Sequence, residues 1–349
     1  MEVELAEHVR GQGKKVFIIA EAGVNHNGNL ALAKKLIVAA KEVGADAVKF
    51  QTYKTDEVVT RDVALVDYQK RSKGHLTQFE MLKGLEIGFS EHQELMRLAK
   101  KIGILFLSTP GDFSSVDLLS KLGVKAYKIG SDDLTNIPLL DYVARQCKPI
   151  LLSTGMSTIP EIGEALAAIR KRSRAPIVLM HTTTQYPCPL VDANIRALRV
   201  LSRTFKLPVG YSDHTAGVSA SMSAVALGAC VIEKHLTLDR SMSGPDHTSS
   251  YEPAEFKILV KLIREVETCL GSFKKEPTST ERKDVRLIRK SIIAGCDIPK
   301  GAVIKKEYLA LKRPQTGMLP KYFFSLLGKK AKVNIRKDTP IKKGFIASR

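Results

Sequence analysis

Cysteine is scarce in this sequence, and the few cysteines are scattered. The 349 residues contain five, an odd number without a C-x-x-C pair: Cys147, Cys188, Cys230, Cys269 and Cys296. This usage argues against a disulfide framework and against a structural zinc site. We therefore expect reduced thiols and a cytoplasmic protein.

Long apolar runs are also missing. The best candidate, residues 218–232, is interrupted by serines and a glycine. The N-terminal stretch, residues 1–15, lacks the apolar core of a signal peptide. Both absences argue against a membrane-spanning or secreted chain.

Acidic residues are few relative to basic ones. The formal net charge is +19, and residues 271–349 carry 21 Lys and Arg against 6 Asp and Glu. A basic module of this kind can bind nucleic acid, face an anionic small molecule or simply form a soluble surface. Composition alone leaves all three open.

What the sequence does have is a regular alternation of two patterns. Segments with helical spacing of apolar residues, such as 30–43, 90–102, 159–171 and 216–227, separate eight apolar runs, and a final helical segment, 253–270, follows the eighth run. The runs are 16–22, 47–51, 105–109, 126–131, 149–154, 177–182, 208–213 and 231–236. Near-continuous apolar strands between helices indicate a parallel sheet covered by helices. We predict an α/β fold, a (β/α)8 TIM barrel, with a doubly wound open sheet as the alternative.

Every apolar run ends in polar or ionisable side chains. In order, they are Glu21; Lys49 and Gln51; Ser108 and Thr109; Lys128 and Ser131; Ser153 and Thr154; His181; Asp213 and His214; Glu233 and His235. In a barrel the carboxyl ends of the strands converge on the face that holds the active site. We therefore expect these residues to form one functional site.

The last run suggests a metal. Alternate side chains of a strand share a face, so Glu233 and His235 point one way and Lys234 the other. His214 ends the preceding run, and two histidines on successive strands could chelate a divalent cation. For either histidine alone, a hydrogen-bonded structural role is the simpler interpretation.

The strand ends offer two kinds of group. Donors suited to phosphate or carboxylate oxygens are Lys49, Thr109, Lys128, Ser131 and Ser153. Lys128 could instead form a Schiff base. Groups suited to a divalent metal with acid–base partners are Glu21, Asp213, His214, Glu233 and His235. The residues therefore indicate a small phosphorylated substrate beside a Lewis-acid metal.

Two segments outside the runs complete the organisation. The connection 53–88 is unusually long for a βα loop and is a candidate lid. The polar stretch 272–286 is predicted as a linker between a catalytic domain, 1–271, and a small module, 287–349, of short strands and turns.

Nine motifs spread along the chain resemble those of the sialic acid (nonulosonic acid) synthase family. They are residues 21–28 (EAGVNHNG), 48–51 (VKFQ), 108–110 (STP), 127–131 (YKIGS), 153–156 (STGM), 186–187 (YP), 211–215 (YSDHT), 232–235 (IEKH) and 244–247 (GPDH). The C-terminal module, with KRP at 312–314 and TG at 316–317, resembles the antifreeze-protein-like (SAF, β-clip) domain of that family.

This resemblance implies a metal-assisted condensation of phosphoenolpyruvate with the aldehyde of an N-acetylated hexosamine, releasing phosphate. By similarity, phosphoenolpyruvate would be bound by Lys49, Thr109, Lys128, Ser131 and Ser153. His214 and His235 would hold the metal, with Mn²⁺ favoured over Mg²⁺ or Co²⁺. Glu21 and Glu233 would be the catalytic carboxylates. The sugar would be positioned by Gln51, Tyr186, Asp246 and Arg313, with Arg313 coming from a second subunit of a domain-swapped homodimer.

The acceptor sugar has two readings. The first is N-acetylmannosamine, which would make the product N-acetylneuraminate. The chain departs from that pattern at Thr184, where N-acetylneuraminate-forming bacterial members tend to have Asn, and at Asp132-Asp133, where many members have Gly-Glu. The alternative is therefore a legionaminic acid-type synthase that uses 2,4-diacetamido-2,4,6-trideoxymannose.

Two further hypotheses stay open at this point. A synthase acting on a phosphorylated sugar aldehyde would need extra phosphate-binding residues. A nucleic-acid-binding protein would need exposed aromatics among the basic residues of 271–349, and the module has few. The antifreeze-protein-like module argues against the first hypothesis, and nucleic-acid binding is a distant alternative.

Overall fold

The structure is a computed structural model that describes residues 15–71 and 77–347. The expectations for the N-terminal 14 residues and for 72–76 of the long connection lie outside the described residues. The chain divides into two compact units, the first ending at Gly271 and the second beginning at Ser272.

Eight parallel strands form the first unit. They are β1 Phe17–Gly23, β2 Ala47–Thr52, β3 Leu105–Pro110, β4 Tyr127–Ile129, β5 Ile150–Ser153, β6 Ile177–His181, β7 Val209–Asp213 and β8 Val231–His235. Their hydrogen-bonded order is β3-β2-β1-β8-β7-β6-β5-β4, and β3 also lies beside β4. The sheet is therefore a nearly closed barrel, because in an open sheet the two edge strands would be far apart. The predicted TIM barrel is confirmed.

Helices surround this barrel. They are α1 Leu30–Glu42, α2 Thr55–Val58, α3 Gln78–Leu85, α4 Phe89–Ile102, α5 Phe113–Leu122, α6 Ile137–Ala144, α7 Ile159–Arg172, α8 Ala197–Phe205, α9 Ser219–Ala226 and α10 Pro253–Leu270. Individual residues determine where some of these helices begin and end. The Asn29 side chain caps the start of α1, and Gly103 ends α4 in the left-handed conformation with φ 74°. Within the described residues, no helix is both long and apolar enough to cross a bilayer.

The inside of the barrel has an apolar floor. Its buried cluster is Phe17, Ile19, Ala47, Leu105, Leu107, Ala126, Leu151, Val178, Met180 and Val231. Since side chains alternate along a strand, the next inward position after Ile19 is Glu21, and the next after Val231 is Glu233. Each strand thus places its apolar half in the floor and its polar end above it. A second, larger core lies between sheet and helices.

The second unit has two short antiparallel strands, β9 Ser291–Ala294 and β10 Leu309–Lys312, around a small apolar cluster. It also contains α11 Ser279–Ile288 and the single turn α12 Phe323–Leu326. The stretch 272–286, predicted as a linker, is in part helical. A capping box between Thr278 and Glu281 starts α11 there. The polar composition of this stretch hid the helix from the sequence prediction.

Candidate active site

A cavity of about 720 Å³ opens at the carboxyl ends of the strands. Strand residues that line it are Glu21, Lys49, Gln51, Thr109, Lys128, Ser153, Ser212, Glu233 and His235, joined by Ser131, Thr182 and His214 just beyond strand ends. The convergence that the sequence predicted is therefore present. The roles of these residues in a reaction stay predictions.

Two lysines and two glutamates lie together above the floor. Lys49 Nζ is 2.7 Å from Glu21 Oε1 and 3.7 Å from Glu233 Oε1, and Lys128 Nζ is 3.2 Å from Glu233 Oε1. All four side chains are at least 94% buried. Such burial is costly for unpaired charges, so the mutual pairing is what makes the cluster tolerable.

The two glutamates have different electrostatic environments. Burial raises the pKa of Glu21, and the charge of Glu233 adds to this, while Lys49 opposes it. Burial also acts on Glu233, but Lys128 and Lys49 outweigh it and hold the pKa of Glu233 at about 2. Each glutamate keeps one buried oxygen, Oε2, without a hydrogen-bond partner among the described residues. The cluster therefore has acceptor positions left for a ligand, and its two carboxyls differ in proton affinity.

The two predicted metal ligands lie side by side, with ring centroids 5.4 Å apart. His214 Nδ1 is 2.8 Å from the Thr183 carbonyl oxygen. Because a carbonyl only accepts, Nδ1 carries the proton and Nε2 keeps its lone pair. Burial lowers the pKa of His214 to about 4 and that of His235 well below its usual value. Neutral imidazoles are the form that binds metal.

His235 has a ring nitrogen whose hydrogen-bonding capacity is not satisfied within the described part of the chain. Its Nδ1 is buried and has no hydrogen-bond partner among the described residues; Asp246 Oδ2 lies 3.6 Å away. The pair of histidines thus fits a divalent metal, although the described residues contain no cluster of three or more His, Cys, Asp or Glu side chains arranged around one metal position. The chain itself would supply two nitrogen ligands.

Two polar strand ends do not face the cavity. Asp213 accepts hydrogen bonds from Thr215 and Ser221 on the outer side of β7. The Nε2 atom of His181 bonds to the Ala193 carbonyl. The sequence-based grouping of Asp213 with the metal site was wrong because strand alternation turns it away from Ser212 and His214.

The expected sugar-binding residues of the first unit cluster beside Glu21. The Gln51 amide lies 3.4 Å from Glu21 Oε1. A Cβ atom on Gly23, whose φ is 52°, would lie 3.3 Å from Glu21 Oε1 and 3.5 Å from Asp246 Oδ2. Glycine therefore lets these groups converge. Burial, together with the charge of Glu21, raises the pKa of Asp246 to about 7.

Tyr186 contacts the histidine pair directly. Its ring lies 4.1 Å from the His214 ring and 5.5 Å from the His235 ring, centroid to centroid. Arg313, expected in the same set, is an exposed residue of the second unit just after β10. Its place relative to the cavity stays a prediction.

Sequence reasoning missed Tyr68 and Ser212. The Tyr68 ring packs 4.9 Å from that of Tyr186 and comes from the long connection after β2. The basic composition of that connection gave no signal for a cavity residue. Ser212 donates to Glu233 Oε1 at 3.1 Å, and strand alternation from His214 could have found it.

Comparisons with known proteins match both units of the chain. The NeuB family model matches residues 36–275, and the SAF domain model matches residues 289–347. The chain is 47% identical to the N,N'-diacetyllegionaminic acid synthase of Campylobacter jejuni over 94% of its own length and 99% of the relative's. It is 35% identical to human N-acetylneuraminate-9-phosphate synthase over 93% and 91% of the two lengths.

A solved structure supports the fold as well. The N-acetylneuraminic acid synthetase of Leptospira borgpetersenii, determined with citrate, superposes with a TM-score of 0.71 and 36% identity. The match covers 78% of this chain and 91% of that one.

Proposed function

This chain belongs to the NeuB family, and we propose that it condenses phosphoenolpyruvate with 2,4-diacetamido-2,4,6-trideoxymannose and water. The products are N,N'-diacetyllegionaminic acid and phosphate. The general reaction type is shown by the relatives: the chain is a phosphoenolpyruvate-dependent transferase that forms a carbon–carbon bond.

Sequence identity supports one of the two acceptors expected from the sequence. The relative named for N,N'-diacetyllegionaminic acid is 47% identical, and the relative named for a neuraminate product is 35% identical. The acceptor 2,4-diacetamido-2,4,6-trideoxymannose therefore has better support than N-acetylmannosamine. Thr184, which departs from the N-acetylneuraminate pattern, lines the cavity and agrees with this choice.

The arrangement of lysines and hydroxyls suits phosphoenolpyruvate. Lys49 and Lys128 are the buried cations just above the apolar floor, and Lys49 Nζ also lies 3.2 Å from Thr109 Oγ1. The Ser131 hydroxyl accepts from the Gly155 amide at 3.2 Å and adjoins the same space. In the proposed complex these groups, with Ser153, hold the phosphate and carboxylate oxygens by charge-assisted hydrogen bonds.

His214 and His235 would hold the divalent metal, for which Mn²⁺ is our first choice. When bound, such a cation supplies Lewis acidity and makes the aldehyde carbon of the sugar electrophilic. The neighbouring Tyr186 and Asp246 orient the sugar so that its aldehyde carbon faces the phosphoenolpyruvate.

The two glutamates have separate roles in this proposal. A bond forms between C3 of phosphoenolpyruvate and the aldehyde carbon, which leaves positive charge at C2. Glu233, with its low pKa, stays ionised and stabilises that charge. Water then adds to C2, and Glu21, with its raised pKa, accepts the proton that water loses. The former aldehyde oxygen, which received the carbonyl electron pair when the carbon–carbon bond formed, takes the proton from Glu21 and becomes a hydroxyl. Cleavage of the bond between C2 and the phosphate oxygen then releases phosphate, which carries away the proton of the C2 hydroxyl, and leaves a 2-keto acid.

We also propose a domain-swapped homodimer in the cytoplasm, in which Arg313 of one copy completes the cavity of the other. The exposure of Arg313 and the basic composition of the second unit support this, because a cationic arm complements an anionic substrate. The described cysteines are all free, in keeping with a reducing compartment.

Phosphate release tests the proposed reaction. Wild-type protein is incubated with Mn²⁺, phosphoenolpyruvate and either 2,4-diacetamido-2,4,6-trideoxymannose or N-acetylmannosamine. We expect rapid release with the first sugar. Release with N-acetylmannosamine alone would overturn the acceptor and restore N-acetylneuraminate as the product. Release with neither sugar would overturn the proposed function.

A further inference from the structure

The outer part of the cavity presents aliphatic side chains, unlike the cluster of lysines and glutamates above the floor. Three aliphatic side chains from the connection after β2 line this part: Val58, Val66 and Leu82, here called the apolar wall. Val58 and Val66 are 36% and 45% exposed, whereas the charged cluster is almost fully buried. Methyl groups left open inside a ligand cavity favour an apolar part of the ligand.

Two side chains of the apolar wall, Val58 and Leu82, lie beside Tyr53. The Tyr53 hydroxyl donates to the Leu82 carbonyl at 3.1 Å. A Cβ atom on Gly111 would lie 3.1 Å from Val58 Cγ1 and 3.2 Å from Tyr53 Cβ, so Val58 and Tyr53 meet at this glycine. Leu65, the neighbour of Val66, packs in one small cluster with Tyr53 and Leu82.

Three polar side chains of the same stretch, Asp67, Gln69 and Gln78, also line the cavity, but each is engaged with a neighbour in the connection. The Gln69 side-chain oxygen accepts from the Val66 amide at 3.1 Å. The Gln78 side chain donates to the Ala64 carbonyl at 3.0 Å, and Asp67 pairs with Lys70 at 2.6 Å. These bonds hold the connection in place and leave the valine methyl groups facing the cavity.

We propose that the apolar wall receives the C6 methyl group of the acceptor and selects 6-deoxy sugars over their 6-hydroxy counterparts. This inference rests on the proposed function, because it requires the sugar aldehyde, C1, to lie at His214 and His235. C6 is the opposite end of the six-carbon chain, and the wall lines the same cavity from the connection after β2, whereas the histidines lie at the ends of β7 and β8. A hydroxyl placed against the wall would lose its hydrogen bonds to water without gaining others.

The test uses two matched pairs of sugars. One pair is the 2,4-diacetamido acceptor with either a methyl or a hydroxymethyl group at C5, and the other is N-acetylmannosamine with its 6-deoxy analogue. For the wild-type enzyme we expect kcat/KM to favour the 6-deoxy member by about tenfold to a hundredfold. Equal kcat/KM values within the pair that turns over would overturn the inference.

Two substitutions test whether the apolar wall causes the preference for 6-deoxy sugars. Val58→Thr and Val66→Thr keep the volume of the side chain but replace a methyl group with a hydroxyl. Each should lower the ratio of kcat/KM between the 6-deoxy and the 6-hydroxy sugar by about threefold or more. The KM for phosphoenolpyruvate should not change. Val191→Thr is the matched control, since Val191 is 87% exposed on the surface after β6 and outside the cavity lining.

The outcomes separate the inference from the proposed function. If only the N-acetylmannosamine pair turns over, the proposed acceptor is wrong, and a 6-deoxy preference there would still support the wall. If the ratio stays the same in both valine variants, the wall does not select C6. Turnover of neither pair would overturn both proposals.

Discussion

Asp213 and Lys234 are register partners on β7 and β8, and both point away from the cavity. Lys234 Nζ lies 3.4 Å from Asp213 Oδ2, and both side chains are fully buried. Lys234 also donates to the Thr215 carbonyl and lies 4.5 Å from the centre of the Tyr251 ring. Two strands thus carry cavity-lining residues on one face and a structural ion pair on the other.

Breaking this pair should affect stability rather than chemistry. Asp213→Asn leaves the Lys234 ammonium buried without its counter-ion, which costs about 3–5 kcal/mol in the free energy of unfolding. We expect urea unfolding to show this loss, while Mn²⁺ affinity of the folded protein stays unchanged. The matched control is Asp338→Asn, which breaks an ion pair with Lys312 whose partners are both more than half exposed, and should have little effect. A loss of metal affinity without a loss of stability in Asp213→Asn would contradict the assignment.

The histidine pair makes a prediction about metal binding. His214→Ala or His235→Ala removes one of two nitrogen ligands, so isothermal titration should no longer detect Mn²⁺ binding, and phosphate release should stop. His181→Gln is the control, because His181 also follows an apolar run but bonds to a backbone carbonyl. Metal-dependent turnover in a His214→Ala, His235→Ala double variant would refute the site.

Subunit mixing tests the role proposed for Arg313. Arg313→Ala and His235→Ala should each be inactive alone. If Arg313 serves the other subunit, each heterodimer has one complete site, in which an intact barrel meets an intact Arg313. Half of the dimers in an exchanged equimolar mixture are heterodimers, so the mixture should regain about a quarter of wild-type activity. Arg336→Ala, an exposed arginine of the same unit, is the control and should stay active. A mixture that stays inactive would show that the arm does not act across the dimer.

His26 makes stability depend on pH. Its side chain is fully buried, and burial together with the charges of His92 and His247 lowers its pKa to about 4. The unfolded chain therefore takes up this proton near pH 6.5, while the folded chain does so only near pH 4. Stability is thus lost as pH falls through this window, with about 2 kcal/mol from His26 at pH 5.

The measurement compares urea unfolding of metal-free wild type and His26→Gln at pH 7.5 and pH 5. The variant should lose less stability on acidification, since it lacks one of the buried imidazoles. An equal pH dependence in both proteins would mean that His26 already carries its proton in the fold.

Much of this protein follows from its sequence alone. The barrel is predictable because its signals are local: β-branched runs, helical spacing and polar residues at each run's end. Strand alternation, with a period of two, predicts that Glu233 and His235 share a face and that Lys234 opposes them. The same rule, applied to β7, would have assigned Asp213 to the outer side.

Only the tertiary structure decided which side chains meet. The pairing of Lys49 with Glu21 and of Lys128 with Glu233, which separates the pKa values of the two glutamates, joins residues on different strands. The proton on His214 is assigned by a carbonyl from the loop after β6, and Tyr68 reaches Tyr186 from a connection without a telling sequence pattern. These contacts arise from closure of the barrel, which brings distant segments together at one end, and no local pattern in the chain encodes them.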